Sequence, residues 1–173
     1  MPPSGERNFH IFYYLVVSAS AEERQHLHLT DKTTYRYLGQ HPVNPRQNGR
    51  DDDGLRFKHL KHALKHAGFS KCHVAQTCQL VAAILHLGNL EFTIDPHRNE
   101  DAVVVRNTDI LALVAEFLGV TPSASEIALS YKTKLFKELC TVFLDPDGAI
   151  DNRDDLAKTL YSLLFAWLNE HID

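Results

Sequence analysis

With 173 residues, 44% of them apolar and 23% charged, the chain carries enough hydrophobic material for a packed core, which excludes a disordered or low-complexity protein. A formal charge of −4 beside 11 histidines, which change charge near neutrality, gives no nucleic-acid or membrane preference. Three cysteines, Cys72, Cys78 and Cys140, fit no zinc or disulfide spacing and are expected as small buried hydrophobes in a reducing compartment.

The first element, Asn8 to Val17, reads NFHIFYYLVV and is apolar on every face except at His10, so periodicity predicts a buried element without choosing helix or strand. Ser20 followed by Glu23 has capping-box spacing and starts a short helix. HPVNPRQNGRDDDG then reads as an exposed loop. From Leu55 the chain turns helical, with Phe57, Leu60, Leu64 and Ala67 on one stripe and Gly68 as the stop. The outer face of this helix carries Arg56, Lys58, Lys61 and Lys65 together with His59, His62 and His66.

Ser70 can cap the next helix, which runs to a left-handed stop at Gly88 and Asn89. Val74, Cys78, Val81 and Leu85 form one apolar stripe and Leu80, Ile84 and Leu87 a second, so this helix must be covered on two sides. TIDPHRNED follows as a polar loop, and AVVV as a short strand. Thr108 opens a helix closed by Gly119, and Thr121-Pro122 opens another. YKTKLFKELCTVFLDPDG predicts one irregular hairpin or ordered loop with a Pro-Asp-Gly turn. A last helix is expected from Asp151 or Asn152, with Asp154 and Asp155 in its first turn and a broad apolar face of Leu156, Leu160, Leu163, Leu164, Trp167 and Leu168.

Chemistry-bearing patterns are sparse. His62 and His66 stand four apart and have the spacing to share a metal, but no Asp or Glu sits beside them, and a solvated basic face is the preferred reading. There is no G-x-S-x-G elbow, and none of the eight glycines precedes a lysine, so the chain lacks a phosphate-binding loop of its own. His86 and Trp167 read as packing residues. The apolar runs Ile11 to Val17 and Leu80 to Leu85 fall short of the roughly 20 residues that span a bilayer. Met1-Pro-Pro-Ser-Gly-Glu lacks the features of a signal peptide, so a cytoplasmic location is expected.

Three stretches, GERNFHIFYYL, AAILHLGNLEF and RDDLAKTLYSLLFAWLNEHI, resemble consecutive blocks of the myosin motor domain in the family's order. ASAEERQHLHL and TVFLDPDGAIDN are similar to the myosin-like motor domain at the N-terminus of certain fungal chitin synthases. The resemblance implies a mainly α, bundle-like piece of a myosin head spanning residues 1–173, not a complete fold alone. The phosphate loop and switch I would lie upstream, and switch II, relay and converter downstream. It implies most of the upper actin-binding subdomain, with no catalytic, cofactor or metal residue in this chain. ATP and Mg would belong to the intact parent, a myosin-type ATPase fused to a chitin-synthesising glycosyltransferase at the plasma membrane or secretory vesicles.

By the same resemblance the actin-contact candidates are Lys132, Lys134, Lys137, Glu138, Asp145 and Asp147, and Thr93 to Asn107 would include a second contact loop. Glu138, sixteen residues before Asp154 of the D-D-L-A-K motif, would be the regulatory position that some myosins phosphorylate, here a fixed carboxylate. The implied partners are the actin filament and the remainder of the motor, with neither nucleic acid nor membrane contacted by this segment. Two rivals remain open at this point: an independent helical interaction module derived from the motor shape, and a small metal-dependent enzyme using His62 and His66.

Overall fold

In the computed structural model the described residues are 7–39, 49–95, 103–135 and 139–172. Among them are seven α-helices and two antiparallel strand pairs, so the mainly α expectation holds. The chain divides into two compact units, Met1–Leu85 with Ser162–Asp173, and His86–Tyr161.

The first unit begins with α1 (His10–Ser18), so the undecided apolar segment is helical. Its buried residues Phe12, Tyr13, Leu15 and Val16 repeat at helical spacing. The free carbonyl of Val16 near its end accepts from Arg24 of α2 (Ala21–His26). Ser20 and Glu23 form the expected capping box, with Ser20 Oγ accepting from Glu23 N at 3.1 Å and Ser20 N donating to Glu23 at 2.9 Å. Two 3-10 turns follow, Lys32–Thr34 and Arg36–Leu38, and the Tyr13 hydroxyl donates to Leu38 O at 3.1 Å.

Helix α3 (Gly49–His66) begins earlier than the sequence predicts, taking in the residues from Gly49 to Gly54 that read as loop. Carboxylates near a helix start favour the positive end of its dipole. Asp53, which is buried, also receives both arms of the Arg7 guanidinium at 3.1 and 2.6 Å. Residues 41–48 of the expected loop lie outside the described residues. Farther along, the predicted stripe is confirmed: Phe57 and Leu64 are buried, Leu60 and Ala67 half-buried. Gly68 closes the helix at φ +87, with Phe69 N donating to Leu64 O and Gly68 N to Lys65 O at 3.0 and 3.1 Å. This pair of bonds needs a left-handed residue, which glycine supplies without a Cβ clash.

Lys61 pairs with Glu23 and lies 4.3 Å from the Phe57 ring centre. Burial alone would raise the Glu23 carboxyl, but Lys61 and the Ser20 amide outweigh it and leave the pKa below the ordinary carboxylate range. A depressed folded value means that this stabilisation is present at neutral pH and is lost as pH falls through it.

Ser70 caps α4 (Lys71–Gly88), its Oγ accepting from His73 N at 3.1 Å. Every residue from Val81 to Gly88 is buried, so the two-sided covering is confirmed. The predicted left-handed stop is not: neither Gly88 nor Asn89 has positive φ. The helix tightens instead, with Asn89 N donating to His86 O and Leu90 N to Leu87 O. Leu64, Phe69 and Val74 form a core cluster under Trp167 and Leu168, confirming Trp167 as packing. The Trp167 ring lies 5.4 Å from Phe69, 5.7 Å from His73 and 4.8 Å from His171.

In the second unit β1 (Phe92–Ile94) pairs with β2 (Val103–Val105), Phe92 opposite Val105 and Ile94 opposite Val103. AVVV was expected as strand, but Thr93 and Ile94 were expected as polar loop, because their exposed side chains give no apolar alternation to read. Helix α5 (Thr108–Leu118) ends at Gly119 in the left-handed region, and α6 (Pro122–Ser130) starts behind Thr121, whose side chain accepts from Ala124 N, both as predicted. His86 is buried with its ring 6.1 Å from Phe117, a core position as expected. The expected irregular hairpin is regular: β3 (Tyr131–Leu135) pairs with β4 (Leu139–Phe143).

Helix α7 runs Pro146–Glu170, so its start is corrected by more than a turn. The Pro-Asp-Gly segment is the first helical turn. Asp145 accepts from Gly148 N at 2.7 Å through its side chain and from Ala149 N at 2.9 Å through its carbonyl, with proline at the position where no amide donor is needed. The broad apolar face is only partly covered. Leu164 is buried, Leu156, Leu160, Trp167 and Leu168 are half-buried, and Leu163 is 61% exposed.

Candidate functional site

The hairpin β3–β4 is built on a buried root. Ser130, the last residue of α6, is buried and leads without a break into Tyr131. Leu144 N donates to Ser130 O at 3.0 Å, closing the ladder, and the Tyr131 and Phe143 rings pair across it at 4.9 Å. Lys132 stands opposite Val142 with its side chain exposed, and Lys134 is placed by its backbone opposite Cys140. Lys137 and Glu138 lie outside the described residues. Asp145 and Asp147 are exposed beyond the hairpin, Asp145 being engaged as the cap of α7. Lys134 follows Lys132 by two residues in the same strand.

The root of β1–β2 is held more heavily. The Asn107 amide donates to Asn89 O and accepts from Glu91 N, both at 2.9 Å, while Arg106 N donates to Glu91 O at 2.8 Å. Between these carbonyls, Leu90 O accepts from Arg153 Nη1 at 2.8 Å. Arg153 of α7 is 1% exposed, and its Nε and Nη2 both donate to Asp154 Oδ1, at 2.9 and 2.7 Å. Asp154 and Asp155 were expected in the first turn of α7; with the corrected start they fall farther along, and Asp155 faces Lys158 at the surface, 3.2 Å away.

Sequence reading missed Arg153 and its neighbour Asn152, whose amide donates to Ala128 O at 2.7 Å and reaches Leu129 O at 3.4 Å. A signal was present. Ala149, Arg153 and Ala157 repeat every four residues and are all buried, so the arginine interrupts a small-residue stripe on the covered side of the helix.

His59, His62 and His66 are exposed on the outer side of α3 beside Lys58 and Lys65. Among the described residues no group of three or more His, Cys, Asp or Glu could hold a metal ion. The cysteines do not share one fate. Cys78 is buried, and burial, the largest influence, pushes its thiol up to about 11; Cys72 is exposed, contrary to the expectation of a buried hydrophobe, because it projects from the uncovered side of the first turn of α4. Iodoacetamide at about pH 8 should therefore label Cys72 in the folded protein and Cys78 only after unfolding, since the thiolate is the nucleophile. Peptide mapping by mass spectrometry reads the difference, and equal labelling of both in the folded state would contradict it.

The profile of the myosin head (motor domain) family matches residues 2–173. The chain belongs to the myosin head family. Its curated relatives include fungal chitin synthases. It is 53% identical over 171 residues to chitin synthase 8 of Mycosarcoma maydis, covering 98% of this chain and 8% of that protein. It is 49% identical over 173 residues to chitin synthase 5 of Cryptococcus neoformans var. grubii, covering 99% of this chain and 9% of that protein. With chitin synthase V of Metarhizium acridum the identity is 40% over 190 residues, covering 99% of this chain and 10% of that protein. The myosin head segment thus spans about a tenth of the length of these relatives.

Among the described residues there is no phosphate loop of the kind that ATP and magnesium, which a myosin head implies, would need. No glycine precedes a lysine, and Gly68 and Gly119, which have the backbone freedom a phosphate loop uses, close helices instead.

Proposed function

We propose that this chain is the filament-facing part of an actin-based, ATP-driven motor joined to a fungal chitin synthase, with β3–β4 as its actin contact. The observation that carries this reading is a regular hairpin in a myosin head chain, presenting exposed Lys132 from a buried, doubly tied root. Actin is acidic, so Lys132, Lys134 and Lys137 assist docking by attraction that salt screens. Glu138 supplies a permanent negative charge at the regulatory position. ATP binding and release in the rest of the parent would then alter actin affinity through linkage between sites, with no chemistry performed by these residues. The motor lies on the cytoplasmic side of the membrane or vesicle that bears the synthase.

Co-sedimentation with filamentous actin tests the reading. The chain should bind saturably, and more weakly as salt rises from about 50 to 150 mM. Joint Lys132→Glu and Lys134→Glu substitution should weaken binding about tenfold, which corresponds to about 1.4 kcal/mol. Absence of binding by the unaltered chain, or binding indifferent to both substitutions and salt, would reject it.

A further inference from the structure

We infer that Asn152 and Arg153 are positioning residues that join the two hairpins of the second unit into one docking element, an inference that rests on the actin reading of β3–β4 for its functional consequence. The two residues are neighbours on α7 and make equivalent bonds in two different places. Arg153 donates to the carbonyl of Leu90, two residues before Phe92 opens β1. Asn152 reaches the carbonyls of Ala128 and Leu129, the latter two residues before Tyr131 opens β3.

Adjacent side chains on an α-helix diverge by about 100°. One turn of α7 therefore reaches two separate segments. Most of the remaining root bonds stay local, Asn107 and Arg106 tying β1–β2 to itself and Ser130 with Leu144 closing β3–β4, while one further bond, from Val105 N of β2 to Glu126 of α6 at 3.0 Å, links the two sides independently of α7. The Asn152-Arg153 step is thus where a shift of α7 reaches both hairpins at once, with the Glu126 bond to β2 as a second link between them.

The two grips are also stiff in the sense that function needs. The carbonyls of Ala128 and Leu129 lie in the last turn of α6, where a helix has no amide of its own to offer them. Arg153 is buried, and its other nitrogens are engaged by Asp154, so its Nη1 has a fixed direction towards Leu90. A docking hairpin whose root is held at one orientation loses less freedom on binding than one that can swing. Loss of either grip should lower affinity although neither residue touches the filament.

Two measurements on the full chain test this, using Asn152→Ala and the charge-conserving Arg153→Lys, which cannot reproduce the fork. In the free protein, hydrogen exchange followed by mass spectrometry should show that each single substitution accelerates the amides of both hairpins, including the one it does not touch. Acceleration confined to the touched hairpin, or none, would overturn the inference whether or not the protein binds actin. In co-sedimentation, each substitution should weaken binding about threefold to tenfold and flatten its salt dependence, while the thermal midpoint moves by only a few degrees. Unchanged affinity alongside accelerated exchange in both hairpins would remove the positioning role for docking. Failure of the unaltered chain to sediment with actin would instead reject the actin reading, and the exchange result would still decide whether the two hairpins share an anchor.

Discussion

Arg153→Ala should destabilise the chain by about 3–5 kcal/mol, read as a lower urea midpoint at an unchanged slope. Three costs combine. The side chain is 1% exposed, so truncation leaves a hole that its neighbours fill only in part. Leu90 O loses its donor in a region where water has little access. Asp154 loses a partner that grips it with two nitrogens. The last cost is the smallest, because the Asp154 side chain is 33% exposed and can recover water. Arg153→Met separates these contributions. Methionine refills most of the volume and removes the buried charge, so the loss should shrink to about 1–2 kcal/mol, mainly that of the abandoned carbonyl. Equal losses in the two variants would mean that volume plays no part.

Leu85→Ala in α4 should cost about 3 kcal/mol, whereas Leu163→Ala in α7 should cost less than about 0.5 kcal/mol. Leu85 is fully buried and Leu163 is 61% exposed. Truncating the first removes methyl groups from a close-packed interior and leaves a cavity. Truncating the second removes groups already in water. Thermal or urea unfolding of the two variants side by side checks the contrast, and a large loss at Leu163 would show that its apolar surface is covered in solution.

These two leucines also mark where sequence reading reached its limit. Both belong to helical stripes of similar apolar strength, so periodicity predicts both helices and grades neither position. The capping box at Ser20, the Schellman stop at Gly68, the left-handed stop at Gly119 and the proline start at α6 were all legible. Each is decided by hydrogen bonds within one turn of chain. The starts of α3 and α7 were misplaced because charged and turn-forming residues, DDDG and DPDG, read as loops until their carboxylates are seen capping or paired. Of the contact candidates, Lys132 was legible as an exposed hairpin lysine, but Asn152 and Arg153 were not legible as root anchors.

By itself the sequence determined the mainly helical class, most helix ends, the place of the β3–β4 segment as a hairpin or ordered loop, and membership of the myosin head family. Only the tertiary structure decided that the apolar start is a helix, that one side of α7 stays bare, and that a polar pair on that helix holds two hairpin roots. Local signals act over the three or four residues that a backbone hydrogen bond spans. The need of Leu90 for a donor, by contrast, is met by a residue 63 positions away, and nothing in the periodicity of either segment records that they meet.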